Sequence, residues 1–356
     1  MRRDILERDT SMSGLIRANR LSLHDVEAIR LILSGGSVID WQRLAFSDLS
    51  EVDRYLGTLL LDPSDTADQE RVRYVFNESV AYLEEQVHLR FPPELRDPED
   101  VRQLFIWASQ SGGFRRRQVL SCVILKLMHV IQHMEAADLR FRSAISEAQL
   151  FDLAEERILG QARVMQDSGL PIVAIYGSRK SRSSVITKLI AKRENLAATI
   201  FDKLRYRIIV EKPSDLLEVM RYLTHEVLPF NYVIPGQSHN NLLDPADLLR
   251  ELPPDVYAQP VDPGMPMTRE TGKNEFSGSS YRMINFIADY PVRLNKVPTQ
   301  SFPFESGSTV FLMVEFQLVD ERTARLNEEG ENAHSLYKQR QFEEVARRLK
   351  RGREGT

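Results

Sequence analysis

The sequence predicts an α+β fold, in which an all-helical N-terminal region precedes an α/β domain with a mixed β-sheet flanked by helices. Residues 22–169 carry apolar residues three and four positions apart, as amphipathic helices do. After Leu170, short apolar runs alternate with helical patterns, which is typical of α/β domains. We therefore predict a helical domain over residues 1–155 and an α/β domain over residues 156–356.

Three long helices are expected in the N-terminal region. The first covers residues 68–89. The second covers 98–109, because an acid followed by Pro98 suits a first helical turn. The third covers 119–135, is apolar on most faces and is expected to be the buried centre of this region. It contains the single cysteine, Cys122, which excludes an internal disulfide framework and is typical of a reducing compartment.

The C-terminal half is expected to alternate strands and helices. Strands are predicted at 171–180, 206–210, 281–288 and 309–318, and helices at 184–195 and 214–226. The stretch 236–280 is rich in Pro, Asp, Asn, Gly and Ser and is expected to be a surface loop insertion. A C-terminal helix follows the last strand.

The overall charge excludes a strong general attraction to nucleic acid or anionic membrane. The formal net charge is −4 and the isoelectric point is about 6.1, although basic runs occur at 115–117 and 338–353. The N-terminus alternates charges and no segment approaches eighteen uninterrupted apolar residues. We therefore expect a cytoplasmic protein that has no membrane partner.

A candidate phosphate-binding segment follows the first predicted strand of the α/β domain. The strand ends at glycine, and cations and hydroxyls then open a helix: Arg179, Lys180, Ser184 and Lys188. Free amides at a helix N-terminus and cations one turn apart would contact a triphosphate together. The same pattern also fits a solvated helix start, and it lacks the Walker spacing.

Charged residues also stand in the predicted strands. Asp202 lies at the entrance of one strand, Arg207 lies within it, and Glu315 interrupts another apolar strand. Each could be an edge-strand residue that points to solvent. Two acids on separate strands of one sheet are also what a magnesium-phosphate site needs, because Mg²⁺ prefers hard oxygen ligands.

The order of these motifs resembles the RelA/SpoT synthetase domain over residues 172–338. The motifs run Gly-x-x-Lys-x-x-x-Ser-x-x-x-Lys, Asp-x-x-x-x-Arg-Ile, a Tyr-Arg strand, Glu-x-Gln and Gly-x-x-Ala-His-x-x-Tyr-Lys. The resemblance implies a nucleotidyltransferase-like domain in which Lys180, Ser184 and Lys188 grip the ATP phosphates. It implies that Asp202 binds Mg²⁺ and that Glu315 helps with the metal or activates the acceptor hydroxyl.

Further roles follow from the same resemblance. Arg207 corresponds to an arginine that stacks on adenine, which a planar guanidinium can do. Tyr281 corresponds to a tyrosine that stacks on the acceptor base, and His334 and Lys338 belong to the closing motif on the acceptor side. Arg179 would replace the family's usual arginine from one position further along the strand.

The function that the resemblance implies is ATP-dependent transfer of pyrophosphate to the 3′-hydroxyl of GDP or GTP, which makes (p)ppGpp alarmones. Three departures, Ser178, Asn285 and Val319, leave the guanine specificity open. One alternative acceptor is the 3′ end of tRNA, as in toxic small members, which the basic tail favours. A second alternative is a degenerate domain that binds a nucleotide or a partner without turnover. Assembly into a homo-oligomer is left open.

Two other histidine patterns were weighed. The pair His24-Asp25 resembles the metal dyad of the family's hydrolase domain, but no histidine precedes it in the sequence. His129 and His133 lie one helical turn apart with no carboxylate between them, and we expect core histidines rather than a zinc pair. Because every element of the resemblance lies after Leu170, residues 1–150 are expected to regulate or target the synthetase rather than complete its active site.

Overall fold

The computed structural model describes residues 3–7, 21–34, 44–110, 115–191, 202–243, 281–294, 307–329 and 334–350, the first range as backbone only. These residues form a mixed α+β structure, as predicted: helices flank a six-stranded sheet that contains both parallel and antiparallel pairs. Between residues 22 and 169, the described part of the chain contains helices and no strand, which agrees with the predicted helical region.

Seven helices are described before the main strands. They are α1 (Leu23–Ser34), α2 (Leu49–Thr58), α3 (Thr66–Glu85), α4 (Pro93–Arg96), α5 (Gln103–Ser109), α6 (Arg115–Arg142) and α7 (Glu147–Asp167). Side chains cap several of them: Asp48 accepts from the first amides of α2, and Ser146 and Gln149 form a capping box at α7. The start predicted at Pro98 is wrong, because α5 begins at Gln103. The Asp100 carboxylate instead accepts hydrogen bonds from the backbone amide and from the guanidinium of Arg102.

The sheet has the order β1-β2-β3-β6-β5-β4. Its strands are β1 (Arg3–Glu7), β2 (Ile172–Arg179), β3 (Leu204–Val210), β4 (His239–Asn240), β5 (Ile284–Arg293) and β6 (Thr309–Asp320). Among these described strands, only β3 and β6 pair in parallel. Two strands were not predicted. β1 precedes the helices, and the two-residue β4 lies in the predicted insertion, whose residues 244–280 are outside the described part of the chain.

Four further helices complete the described elements. They are α8 (Arg182–Ala191), α9 (Asp215–Tyr222), α10 (Glu321–Asn327) and α11 (His334–Lys350). A π-helical turn, 223–227, continues α9, and the 3₁₀ turn 230–232 follows it. The C-terminal helix α11 lies against α8, where the Arg348 guanidinium donates to the Ile190 carbonyl.

Hydrophobic packing joins the N-terminal helices to the sheet. Side chains alternate along β3, so that Leu204, Tyr206 and Ile208 are buried while Arg205 and Arg207 point to the other face. The buried residues of α3, α5 and α6 belong to the same continuous core as those of β3 and β6. The boundary between residues 155 and 156 remains a prediction, and the two sides of it share one core.

The long helix α6 supplies much of this core through Leu120, Ile124 and Leu125. By length and composition it is the one helix of the described residues that could cross a bilayer, which is weak evidence because core helices of soluble proteins pass the same test.

Of the two histidines of α6, His129 is buried in the core, as expected, and His133 is partly buried beside it. His129 lies 3.2 Å from the Asn231 amide, and the His133 ring stacks on Phe311. Burial lowers the pKa of His129 to about 3 and that of His133 to about 4, so both are neutral at physiological pH.

A buried carboxylate fastens α1 to the π-helical turn. Asp25 is 2% exposed and accepts a hydrogen bond from His225 Nε2 at 2.5 Å, and its other oxygen lies 3.4 Å from Arg221 Nε. Burial alone would raise the pKa of Asp25, but these partners and the Ser22 amide lower it to about 2. Asp25 therefore serves the packing of α1, and His24 beside it is a core residue.

We predict that Asp25→Asn destabilises the protein at neutral pH by roughly 2 kcal/mol, the linkage value for a carboxyl whose pKa falls from near 4 to about 2. Because the folded-state pKa is depressed, this stabilisation is present above pH 4 and is lost as the pH falls toward 2. Thermal unfolding of both proteins across this range measures it. A difference between them that stays constant down to pH 2 would contradict the assignment.

Candidate active site

The parallel pairing of β3 and β6 defines one face of the sheet. Arg205 lies opposite Glu315, and Arg207 lies opposite Gln317. Because side chains alternate between faces, these four residues share the face that α7 does not cover. Glu315 is 4% exposed although it is charged, and buried carboxylates need compensating partners.

Asp202, two residues before β3, is surrounded by cations. One oxygen, Oδ1, accepts from Lys188 Nζ at 2.7 Å. The other, Oδ2, accepts from Lys180 Nζ and from Arg205 Nη2, the latter at 3.3 Å. Burial would raise the pKa of Asp202, but the charges of the three cations hold it well below its usual range. The predicted residues Lys180, Lys188 and Asp202 thus form one ionic cluster.

Arg205 extends this cluster to the second acid. Its Nε donates to Glu315 Oε2 at 2.5 Å, and the other oxygen of Glu315 accepts from Gln317 Nε2 at 3.0 Å. Burial would lower the pKa of Arg205, but Glu315 and Asp202 raise it above its usual value, so the guanidinium stays charged. Sequence reasoning missed Arg205, although arginine at alternate positions of the same strand was a visible signal.

The donor set tests the predicted magnesium site. Asp202 and Glu315 are hard oxygen ligands, yet all four of their oxygens already accept hydrogen bonds from the chain. The three cations outnumber the two carboxylates, so a divalent ion would enter a cluster of net positive charge. In this arrangement the two acids do not fit a shared magnesium ion. Nor does any group of three or more Asp, Glu, His or Cys side chains among the described residues suit a metal.

The start of α8 presents hydroxyls beside the cluster. Ser181 Oγ lies 2.9 Å from Ser184 Oγ and accepts from the Ser184 amide at 3.3 Å, so it caps the helix. Ser184 and Lys188 stand one turn apart on α8, so they share a helix face. The segment therefore offers cations and a hydroxyl near one helix N-terminus, which is an arrangement suited to phosphate oxygens.

Arg179 does not join this cluster. In the register of β2 and β3 it pairs with Leu204, so it faces α7, where its guanidinium binds Asp152 at 2.7 Å and also binds Glu155. The preceding residue, Ser178, pairs with Arg205 and lies on the face of the acids. Because a shift of one residue along a strand reverses the side chain, Arg179 cannot replace an arginine at position 178.

Arg207 and Tyr281, predicted to stack on different bases, are in direct contact. Arg207 donates to the Tyr281 hydroxyl at 3.0 Å, to Gln317 Oε1 at 3.1 Å and to Glu328 Oε1 at 3.2 Å. Their contact places a guanidinium and a phenol ring next to each other beside the acids. Both groups can present flat surfaces to a base.

The three departures from the family pattern also lie on or beside this face. Asn285 pairs with Gln317, and its buried Oδ1 accepts no hydrogen bond from the described residues. Val319 pairs with Ile209 and is buried. Of the closing motif, Lys338 is exposed on α11, whereas the His334 side chain lies outside the described part of the structure.

We compared the chain with known proteins. No protein-family model matches it, and no curated protein matches it significantly. Among solved structures it is similar to small alarmone synthetase 1 from Bacillus subtilis bound to its product pppGpp, at 16% identity and a TM-score of 0.32, over 55% of this chain and 86% of that one. It is also similar to small alarmone synthetase 2 from the same organism, at 15% identity and a TM-score of 0.30, over 59% of this chain and 98% of that one.

At these identities and TM-scores the likeness carries no argument about function, and the chemistry has to be inferred from the side chains described above.

The neighbouring residues Arg179 and Lys180 provide a direct test of the site. We predict that Arg179→Ala lowers the thermal midpoint by a few degrees, because it removes the ion pairs to α7, while ATP binding stays within about twofold. Lys180→Ala should instead weaken ATP binding by about tenfold or more. Calorimetric titration with an ATP analogue and thermal unfolding separate the two effects. Equal loss of ATP binding in both variants would contradict this assignment.

Proposed function

We propose that the protein transfers pyrophosphate from ATP to the 3′-hydroxyl of a guanine nucleotide. The observation that carries the proposal is the cluster of Lys180, Lys188 and Arg205 around Asp202, with the buried Glu315 beside it. Clustered cations on one face of the sheet can bind the oxygens of a polyphosphate. A buried carboxylate beside them can accept the proton of an attacking hydroxyl.

In the proposed reaction, the acceptor 3′-oxygen attacks the β-phosphorus of ATP. A new phosphorus–oxygen bond forms to the ribose, the bond from the β-phosphorus to the bridging oxygen breaks, and AMP leaves with the electron pair. Glu315 accepts the hydroxyl proton through a lone pair that Arg205 and Gln317 leave open. The three cations offset the charge that grows on the phosphoryl oxygens.

ATP would carry Mg²⁺ into the site as its own counterion, and such an ion would neutralise part of the triphosphate charge. Ser184 at the start of α8 is the nearby group that could approach the phosphates or water ligands of that ion. The carboxylates keep their contacts to the cations of the chain.

The guanine acceptor follows from the motif resemblance, and three groups could receive its base. Arg207 and Tyr281 offer adjacent flat surfaces, and the Asn285 Oδ1 atom, which no described residue engages, is an acceptor for an exocyclic amine. A tRNA acceptor is less well supported, because Arg347 and Arg348 of the basic tail both pair with Glu344.

A second candidate function is nucleotide binding without turnover. Both oxygens of Glu315 accept hydrogen bonds, and one of these comes from a charged guanidinium. A carboxylate held in this way has a hydrogen-bond partner on each oxygen and is less open to a substrate hydroxyl. Such a site would bind a nucleotide and leave it unchanged.

We predict that Glu315→Gln lowers the rate of pyrophosphate transfer by about two orders of magnitude or more, because it removes the proton acceptor with little change in volume. Asp289→Asn, the same acid-to-amide change at a partly buried acid on β5, serves as the control and should retain activity. Labelled ATP with GDP, GTP or bulk tRNA, followed by product separation, measures the rate. Undiminished transfer by Glu315→Gln would exclude Glu315 as the base. ATP binding with no product from any acceptor would favour the second candidate.

We further predict that Lys188→Ala raises the Michaelis constant for ATP and lowers turnover, each by about tenfold, because phosphoryl charge grows toward the transition state. The matched control is Lys203→Ala. Lys203 follows Asp202 in the sequence, but its Nζ binds Glu147 on α7 at 2.8 Å. Initial rates at varied ATP concentration test both variants. The phosphate assignment is wrong if both lysine variants behave alike.

A further inference from the structure

The guanidinium of Arg205 lies between the two acids of the site. Its Nε donates to Glu315 at 2.5 Å and its Nη2 donates to Asp202 at 3.3 Å. The sheet fixes the backbone of Arg205, which pairs directly with Glu315 across the parallel strands β3 and β6, and the two carboxylates hold its guanidinium.

A space between two carboxylates on neighbouring strands is also where a divalent ion would be held. Magnesium there would need free carboxylate oxygens in octahedral geometry. Arg205 already takes one oxygen of each acid, and Lys180 and Lys188 add two more positive charges around Asp202. A guanidinium remains charged at every physiological pH, and its planar set of donors suits phosphate as well as carboxylate.

We propose that Arg205 takes the place of a protein-bound metal, so that the site holds a nucleoside polyphosphate through Lys180, Lys188 and Arg205 with no ion ligated by Asp202 and Glu315. The identity of the nucleotide rests on the function proposed above. The replacement of the metal by a guanidinium rests only on the contacts of Arg205.

The proposal changes the expected role of Asp202. If Asp202 held a metal that bridges the phosphates, neutralising it would weaken ATP binding, and the loss would require the metal. If Asp202 instead balances three cations, neutralising it raises the positive charge that faces the ligand and strengthens the attraction of a polyanion. The sign of the change distinguishes the two arrangements.

The first experiment titrates the full-length protein with α,β-methylene-ATP, an analogue that cannot be cleaved at the reacting bond, in EDTA and in Mg²⁺. We expect wild-type affinities in the two buffers to agree within about threefold, and Asp202→Asn to bind equally or several-fold more tightly in EDTA. Binding that needs Mg²⁺ and falls about tenfold or more in Asp202→Asn would overturn the proposal.

The second experiment uses Mn²⁺ alone, detected by electron paramagnetic resonance on the nucleotide-free protein. Arg205→Gln removes the cation between the two carboxylates and leaves Glu315 Oε2 without its partner, so it should raise Mn²⁺ affinity by at least about tenfold over wild type, on the scale that ligand shells affect metal sites. Arg207→Gln, the next arginine on the same face of β3, should not raise it. The double variant Arg205→Gln/Asp202→Asn should lose the gain.

A wild-type Mn²⁺ site that Asp202→Asn removes, or no gain of Mn²⁺ binding in a folded Arg205→Gln, would contradict the proposal. If Arg205→Gln does not fold, Arg205→Lys keeps one charge and loses the planar fork. We then expect Arg205→Lys to bind Mn²⁺ as weakly as the wild type does. Tighter Mn²⁺ binding by this variant would contradict the claim that the positive charge at position 205 excludes the metal. Because Mn²⁺ binding requires no nucleotide, these results stand even if the protein binds no ATP analogue and the proposed function fails.

Discussion

The parallel pairing of β3 with β6 is the constraint on which the candidate site depends. It brings a strand near residue 205 beside a strand near residue 315, although more than a hundred residues of chain separate them. Every antiparallel neighbour then takes its register from this pair, so that Ser178 and Asn285 also reach the same face. A slip of one residue in either strand would turn its own charged residue, Arg205 or Glu315, toward the hydrophobic core and separate the pair.

Charge compensation explains why two acids can be buried at this point. Asp202 and Glu315 lose the free energy of hydration when they are buried on folding. Ion pairs with Lys180, Lys188 and Arg205 offset this cost. The cluster keeps a net positive charge, which suits a polyanionic ligand better than a free divalent ion. Arg207, which faces Gln317, Glu328 and Tyr281, continues the polar face toward the predicted base-binding side.

Much of the architecture could be predicted from the sequence, because periodicity identifies helices and apolar runs identify strands. The ends of the four main strands were predicted to within five residues, and of the helix predicted at 184–195 residues 192–195 lie outside the described part of the chain. β1 and β4 could not be, since five and two residues carry too little pattern. The position of Arg179 required the strand register, which sequence alone leaves open, and the bridging role of Arg205 required knowledge of which strand lies next to β3.

The central claim is that the three cations around Asp202 hold the polyphosphate of a nucleotide on this face of the sheet. A crystal structure with a non-cleavable ATP analogue tests it most directly. We expect phosphate oxygens within hydrogen-bond distance of Lys180, Lys188 and Arg205, with the base near Arg207 or Tyr281. Phosphates bound on the α7 face beside Arg179, or a nucleotide bound away from the sheet, would contradict the account.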